Sequence, residues 1–251
     1  MTAADADGPA PADLDHTALE RKSVLRDSLG VSVATGAYGI SFGAISVAGG
    51  LSAWQTMALS LLMFSGGSQF GLVAVVASGG SPWAGAATAI MLGARNAFYG
   101  LPLSTLLGVR SWRRPLAAQL VIDESSAMSL GRSTVAAGRL GFYATGLGVF
   151  ALWNIGTLIG VVGASAMSDP TVLGLDAAAP AAFIALLAPR LRGGEAWAIA
   201  LVAAMIAVLT TPLVPPGIPV LIAAAFGIAV GAWPRKVPLP IEDGARAEEP
   251  S

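Results

Sequence analysis

Long apolar stretches separated by short polar loops dominate the pattern along the chain. Charges, prolines and paired glycines divide it into eight apolar segments. A bilayer core needs about 20 apolar residues per helix, so segments of this length predict an all-α, polytopic integral membrane helix bundle. The segments cover about residues 28–48, 54–78, 83–108, 116–130, 140–163, 172–188, 196–214 and 217–233.

Three of these segments are interrupted by polar residues. The second contains the run Phe64-Ser65-Gly66-Gly67-Ser68-Gln69, the fourth contains Asp123 and Glu124, and the sixth contains Asp176 and Pro180. Non-helical backbone survives at membrane depth only where protein buries it or where it lines a wet cavity. The break in the second segment is therefore a candidate binding site, with a simple kink whose polar groups are satisfied by neighbours as the alternative.

Lysines and arginines in short loops predict the orientation, because cytoplasmic loops carry an excess of them. Residues 21–26, with three bases, place the N-terminus inside, and Arg235 and Lys236 place the C-terminus inside. The bases in 110–114 also lie inside if the second segment is a re-entrant hairpin, and the fourth segment then starts and ends on the cytoplasmic side. We predict six full spans plus two broken or re-entrant segments, with seven to eight spans as the alternative.

Composition narrows the function. The chain is 55% hydrophobic and 12% charged, with a net charge of −1, so it lacks the basic surface of a nucleic-acid-binding protein. The absence of cysteine excludes disulfides and thiolate metal sites, and the sole histidine, His16, lies in the acidic N-terminal stretch. We predict no enzyme activity, cofactor or metal. The predicted domains are a disordered cytoplasmic tail (1–27), a membrane transport domain (28–233) and a second disordered cytoplasmic tail (234–251).

Glycine pairs at four-residue spacing occur in several segments. Such pairs typically let two helices approach closely in lipid. We predict this packing role for Gly39/Gly43, Gly156/Gly160 and Gly227/Gly231, whereas Gly67/Gly71 adjoins the polar break.

Arg95 lies in the middle of the third segment, and a central arginine costs roughly 2.5–3.5 kcal/mol on insertion scales. It should therefore face the protein interior and pair with an acid, for which Asp123 and Glu124 are the candidates. Tyr99 shares its helix face and is predicted to line the same cavity. The interaction could be a structural ion pair, or these residues could contact a substrate or protons.

A half-helix starting after Gly67 would present backbone N–H groups and the positive end of its dipole, which suit a carboxylate. With one cation, two acids and apolar side chains nearby, the inventory fits a small amphipathic solute such as an aliphatic zwitterion. The predicted substrate-binding residues are Ser65, Gly66, Gly67, Ser68, Gln69, Arg95, Tyr99, Asp123 and Glu124.

These residues resemble the AzlC-like family, the large subunit of branched-chain amino acid exporters. The resemblance covers about residues 28–130 and rests on four pieces in the family's order: Gly39-Ile40-Ser41-Phe42-Gly43, the 64–69 run, Arg95 with Tyr99-Gly100, and Asp123-Glu124-Ser125 with Ala127. Where the family often has Asn-x-Arg-His, this chain has Gly93-Ala94-Arg95-Asn96, so no proton-coupling role is carried over to that position.

The resemblance implies a secondary transporter in the cell membrane that exports valine, leucine, isoleucine or methionine. It also implies a small multi-span AzlD-type partner subunit. The alternatives are a non-transporting membrane scaffold or assembly subunit, and an exporter of another small amphipathic solute.

Overall fold

The computed structural model of the protein describes residues 11–166 and 191–233, together with positions 184, 187 and 188. The described residues form an all-helical fold, which confirms the predicted class for this part of the chain. The predicted sixth segment, 172–188, lies outside the described residues apart from those isolated positions. The helices are α1 (Pro11–Ala48), α2 (Ala53–Leu62), α3 (Gly67–Ala77), α4 (Pro82–Leu107), α5 (Arg113–Gln119), α6 (Asp123–Leu130), α7 (Val135–Ser165), α8 (Gly194–Thr210) and α9 (Ile218–Ala232).

Two of the helices are long and apolar enough to cross a membrane, judged by length and composition. They are Ala18–Ala48 within α1 and Val135–Ser165, which is all of α7. Among the shorter helices, α3, α8 and α9 are also apolar.

The two long helices run side by side in the same direction. Towards the start of the pair, Thr145 Oγ1 donates a hydrogen bond to Ser28 Oγ at 2.9 Å. Further along both helices, the backbone of Gly43 meets that of Thr157. The later residues of α1 thus face the later residues of α7.

Glycines allow this close approach, as predicted for two of the three pairs. A Cβ built on Gly39 would lie 2.5 Å from the carbonyl oxygen of Trp153, and one on Gly160 would collide with the backbone of α1. The packing role is therefore confirmed for Gly39/Gly43 and Gly156/Gly160. For Gly227/Gly231 the role stays a prediction, since a Cβ added to either glycine would meet no atom of the described residues within 4 Å.

The second segment is broken where the sequence predicts. α2 ends at Leu62, Gly66 has a φ of +58°, and α3 begins at Gly67. The end of α3 returns to the level of the start of α2, because a Cβ on Gly49 would lie 3.0 Å from the Cβ of Ala77. α2 and α3 therefore form a hairpin that starts and finishes at one end of the bundle, which we call the Gly49 end.

The fourth segment forms a second hairpin from the other end. α5 and α6 are separated at residues 120–122. Just after α6, Arg132 pairs with Asp27 of α1 at 3.0 Å, and nearby Arg139 Nε donates to the carbonyl of Leu106 at the end of α4. We call this the Asp27 end. The tips of the two hairpins meet between the ends, where Gln119 Nε2 donates to the carbonyl of Leu61 at 2.9 Å.

One sequence prediction differs from the structure at the start of the chain. The sequence predicts a disordered tail over 1–27, whereas α1 is helical from Pro11. Contacts with the turn before α7 explain the difference: Ser133 Oγ donates to Glu20 at 2.7 Å, and Asp27 accepts from Arg132. Residues 1–10 and the predicted tail 234–251 lie outside the described residues.

Candidate functional site

A cavity of about 190 Å³ lies where the two hairpin tips meet α1, α4 and α7. This volume has room for several water molecules. Its walls come from all five parts of the fold, so only the folded chain assembles it. The lining residues are Thr35, Tyr38, Phe64, Ser65, Gly66, Gly67, Phe70, Arg95, Ile122, Asp123, Glu124, Val149 and Trp153.

An ion pair crosses the cavity from α4 to the start of α6. Arg95 Nε lies 3.2 Å from Asp123 Oδ1, and the two side chains are 33% and 21% exposed. The guanidinium also faces the start of α3, since a Cβ on Gly67 would lie 3.3 Å from Arg95 Nη2. Glycine at position 67 therefore leaves the space that the arginine uses to reach the broken helix.

Glu124 is the second acid of the cavity. Thr35 Oγ1 donates to Glu124 Oε1 at 3.5 Å, near the upper limit for a hydrogen bond. Within the described residues, Arg95 is paired with Asp123, and no lysine or arginine nitrogen lies at ion-pair distance from Glu124. Of the described lining residues, one is cationic and two are acidic, which leaves one surplus negative charge when both acids are ionised.

The rest of the wall is mainly apolar and aromatic. Phe64, Ile122 and Val149 belong to one buried core cluster that also includes Phe70 and Trp153. Two polar hydrogens lie within this wall: the indole N–H of Trp153 and the hydroxyl of Ser65 are buried without a hydrogen-bond partner among the described residues. Buried polar groups are usually paired, so both are available to a bound ligand or water.

The structure brings together six of the nine predicted binding residues. Ser65, Gly66, Gly67, Arg95, Asp123 and Glu124 all line the cavity. The predicted pairing of Arg95 with an acid is confirmed by its contact with Asp123. Contact with a substrate stays a prediction for all of them.

The other three predicted residues do not line this cavity within the described structure. Gln69 is fully buried, and its side chain holds the break together: Oε1 accepts from the Gly66 N–H at 3.2 Å and Nε2 donates to the Leu59 carbonyl at 2.9 Å. Tyr99 packs against the core cluster around Leu103 instead. It shares the helix face of Arg95 but lies one turn, about 6 Å, further along α4.

Ser68 lines a separate, open groove on the other side of the break. This groove, of about 600 Å³, also borders Asn96 and Gly93, and Ser65 belongs to both sites. The hydroxyl of Ser68 and Asn96 Oδ1 are buried without a hydrogen-bond partner among the described residues. The break in the backbone at Ser65 thus forms the wall between the inner cavity and the outer groove.

Sequence reasoning missed the contributions of α1 and α7. Thr35 and Tyr38 are polar residues three apart in an apolar helix, which places them on one face and is a signal that could have been used. Val149 and Trp153 gave no comparable signal, because apolar residues are spread all around α7. Among the described residues, no three His, Cys, Asp or Glu side chains lie close enough together to hold a metal ion.

The comparison with protein families identifies the fold's relatives. Residues 30–167, more than half of the 251-residue chain, match the family model described as AzlC protein. The chain belongs to the AzlC family. Every residue lining the cavity falls inside the matched range. No curated protein and no solved structure matches the chain.

Family membership sets the general role. The AzlC family is associated with branched-chain amino acid transport, so the match supports a membrane transport role for this chain. With the long apolar helices α1 and α7, it indicates a membrane protein. The family is a transport family and not an enzymatic one.

Proposed function

We propose that the chain is a secondary transporter that exports branched-chain amino acids across the cell membrane, in concert with a small AzlD-type membrane subunit. The observation that carries the proposal is the inner cavity, which combines a guanidinium, two carboxyl groups and an apolar wall. Valine, leucine and isoleucine present the matching groups: a carboxylate, an ammonium and a branched aliphatic tail. Methionine shares the first two and has an unbranched tail.

The charges suggest how such a zwitterion binds. Its carboxylate fits against Arg95 and the first backbone amides of α3, which have no intrahelical acceptor. Its ammonium fits against Glu124, which supplies the surplus negative charge. The aliphatic tail then packs on the apolar wall formed by residues such as Val149 and Trp153.

The broken helices support a transport role over a purely structural one. Transporters commonly bind their substrates at discontinuous helices near the middle of the bilayer, where half-helix ends present unpaired backbone groups. Here two hairpins enter from opposite ends, and their tips meet beside the charged pair. Irregular backbone at this depth needs protein or a wet cavity around it, and the inner cavity supplies that environment.

The positions of the bases favour six full spans, two re-entrant hairpins and cytoplasmic termini. Bases at 110–114 and at Arg132 and Arg139 flank helices that terminate at the Asp27 end, as do the bases at 21–26. The α2–α3 hairpin and the loop before α9 lie together at the Gly49 end, since a Cβ on Gly80 would lie 2.7 Å from the carbonyl of Pro216. A single orientation, with the Asp27 end inside, therefore satisfies every one of these clusters.

The test is efflux from cells loaded with dipeptides that release valine or leucine inside. Cells expressing the chain together with a small AzlD-type subunit should lose the amino acid faster than cells with an empty vector. Loading leucine together with an analogue tests the two charged groups of the substrate separately. Leucinamide keeps the ammonium, and N-acetyl-leucine keeps the carboxylate. Both analogues should compete with leucine for efflux only weakly, because each lacks one of the two charges.

Equal efflux with and without the chain would reject export. If the small subunit is stable in the membrane only when this chain is present, while efflux never rises, the chain acts as a scaffold. Leucine efflux that neither analogue affects and that proceeds with the cavity's charges removed would place the substrate elsewhere in the protein.

A further inference from the structure

A second groove lies on the outer surface, away from the inner cavity. It encloses about 550 Å³ between the α4–α5 turn, α5 and the outward face of α7. Its walls are mostly apolar and include Leu116, Leu120, Leu147 and Phe150. Leu116 and Leu147 are 60% and 56% exposed, so they offer an open apolar surface.

The mouth of this groove is strongly positive. Arg110, Arg113 and Arg114 sit at the α4–α5 turn, and all are exposed. Arg139 joins them from α7, because a Cβ on Gly108 in the same turn would lie 3.2 Å from its Nη2. None of these four guanidinium groups forms an ion pair with another described residue. The mouth of the groove therefore carries positive charge that no acid of the described residues neutralises.

The positive mouth and the apolar wall are aligned along one helix face. Arg139, Tyr143, Leu147 and Phe150 are spaced by four, four and three residues, so they form a single stripe on α7. At 1.5 Å per residue, the stripe extends about 16 Å from the arginine to Phe150. One leaflet of a bilayer core is about 15 Å thick, which is half of the roughly 30 Å of the whole core.

The remaining residues at the mouth are those of a membrane interface. Trp112 is 67% exposed, and the Arg113 guanidinium lies 5.5 Å from the centre of its ring. Tryptophan is enriched at headgroup level, and arginine is enriched in the loops on the cytoplasmic side of a membrane. In the proposed orientation the charges would lie at the depth of lipid phosphates, and the apolar stripe would continue into the acyl-chain region.

We propose that this arginine groove, formed by residues 110–120 and the 139–150 stripe of α7, binds one anionic phospholipid of the cytoplasmic leaflet. The phosphate and acidic headgroup lie among the arginines at the mouth, and an acyl chain follows Tyr143, Leu147 and Phe150. An apolar helix of a partner would fill the stripe but leave the guanidinium groups without anions, whereas the lipid satisfies both. The inference rests on the proposed membrane orientation and not on the substrate.

The lipid would also support the inner site. α5 has only seven residues, and its Gln119 holds the carbonyls of Leu61 and Leu62 at the tip of the other hairpin. Gln119 also borders the arginine groove, beside Leu116 and Leu120. A lipid seated there packs on the outer side of α5, so its loss should loosen the hairpin contact next to the cavity.

The test uses the full chain in nanodiscs with equal amounts of phosphatidylglycerol and phosphatidylcholine that carry the same acyl chains. Native mass spectrometry after mild detergent release counts the lipids that remain bound. The variant R110Q/R113Q/R114Q removes the mouth charges, and R21Q/K22Q/R26Q is the matched control with three exposed bases at the same end. A second variant, Leu147→Trp, keeps all charges and fills the exposed stripe.

We expect the wild type and the control to retain one phosphatidylglycerol in preference to phosphatidylcholine. The R110Q/R113Q/R114Q variant should lose that preference by about tenfold or more, because each base near the surface contributes to anionic lipid binding. Leu147→Trp should lower retention with the charges intact. Three results would each overturn the proposal: equal retention of phosphatidylglycerol by the charge variant and its control, equal retention of the two lipids by the wild type, or a dimer that displaces lipid from the groove. Efflux can persist in every one of these cases, which separates this outcome from failure of the transport proposal.

Discussion

Replacing Arg95 by glutamine tests whether the ion pair of the cavity only stabilises the fold or is also part of the binding site. The change removes the only positive charge among the described lining residues and leaves Asp123 and Glu124, two adjacent acids. Glutamine is shorter than arginine, but its Nε2 corresponds in position to Arg95 Nε, the atom that contacts Asp123, so a polar group remains there. Both stability and transport should fall, because either role requires the guanidinium.

The size of the stability loss follows from the burial of the pair. Exposed ion pairs contribute about 0–1 kcal/mol, whereas breaking a fully buried pair by removing one partner costs about 3–5 kcal/mol. Arg95 and Asp123 are 33% and 21% exposed at a separation of 3.2 Å, which lies between these limits. We expect Arg95→Gln to lower the free energy of unfolding by about 1–3 kcal/mol.

The double variant R95Q/D123N separates the two roles. It removes both charges of the pair, so the uncompensated Asp123 carboxylate that destabilises the single variant is gone. Stability should recover most of the loss. Efflux of leucine should stay low, because the carboxylate of the substrate still has no cation to bind.

The assay pairs thermal unfolding of the purified protein with efflux normalised to the amount of protein in the membrane. Arg21→Gln, at an exposed position near the start of α1, serves as the control and should change neither quantity. Recovery of both stability and efflux in R95Q/D123N would refute the reasoning, since the pair would then be structural alone. Normal efflux in Arg95→Gln at full membrane levels would refute it as well.

Three further predictions test the fold around the cavity. Gly160→Ala should destabilise the protein by about 1–3 kcal/mol or more in thermal unfolding, because the new methyl group meets the backbone of α1. Gly163→Ala, which meets no described atom within 4 Å, should be neutral or slightly stabilising, because alanine favours the helix more than glycine does. Equal effects of the two changes would contradict the close crossing. The chain lacks cysteine, so single Ser52→Cys and Ser78→Cys variants can be labelled without background. An impermeant thiol reagent should reach both positions from outside the cell, because the α2–α3 hairpin starts and ends at the same end of the bundle. Labelling of the two positions from opposite sides would show that the segment crosses the membrane. Gln69→Leu should cost about 1–3 kcal/mol in the same unfolding assay. It leaves the Gly66 N–H without its acceptor and removes one of two donors to the Leu59 carbonyl, which still accepts from the Met63 N–H. An unchanged midpoint would show that the amide does not stabilise the break.

The sequence predicts local breaks well, because the physics that creates them is local. A run of serine, glycine and glutamine within an apolar segment has few ways to remain helical in lipid, and the break appears at Gly66. The partner of Arg95 was predictable for a similar reason. An isolated arginine in hydrocarbon is so costly that it must find an acid, and few acids lie in apolar segments.

The neighbours of each segment were not predictable in the same way. Hydropathy reports that α1 and α7 are apolar, and it does not report that they run in parallel or that Gly43 meets Thr157. The position of a residue within a polar run also did not predict whether it lines the cavity. Gln69 belongs to the polar run but satisfies backbone groups, while Thr35, from an earlier helix, reaches Glu124.

The meeting of two hairpin tips explains why a ligand with both charges suits this place. Ending helices in mid-bundle leaves backbone groups unpaired. Gln119 donates to the carbonyls of Leu61 and Leu62 at the end of α2, and Gln69 accepts from the Gly66 N–H in the break. The first amides of α3 and the acids at the start of α6 remain beside the cavity, together with Arg95. An apolar ligand would displace water from these groups without replacing the lost hydrogen bonds. The proposed zwitterionic substrate would replace the lost water at both signs of charge while its tail covers the aromatic wall, so we expect the arrangement that tolerates the breaks to favour such a solute.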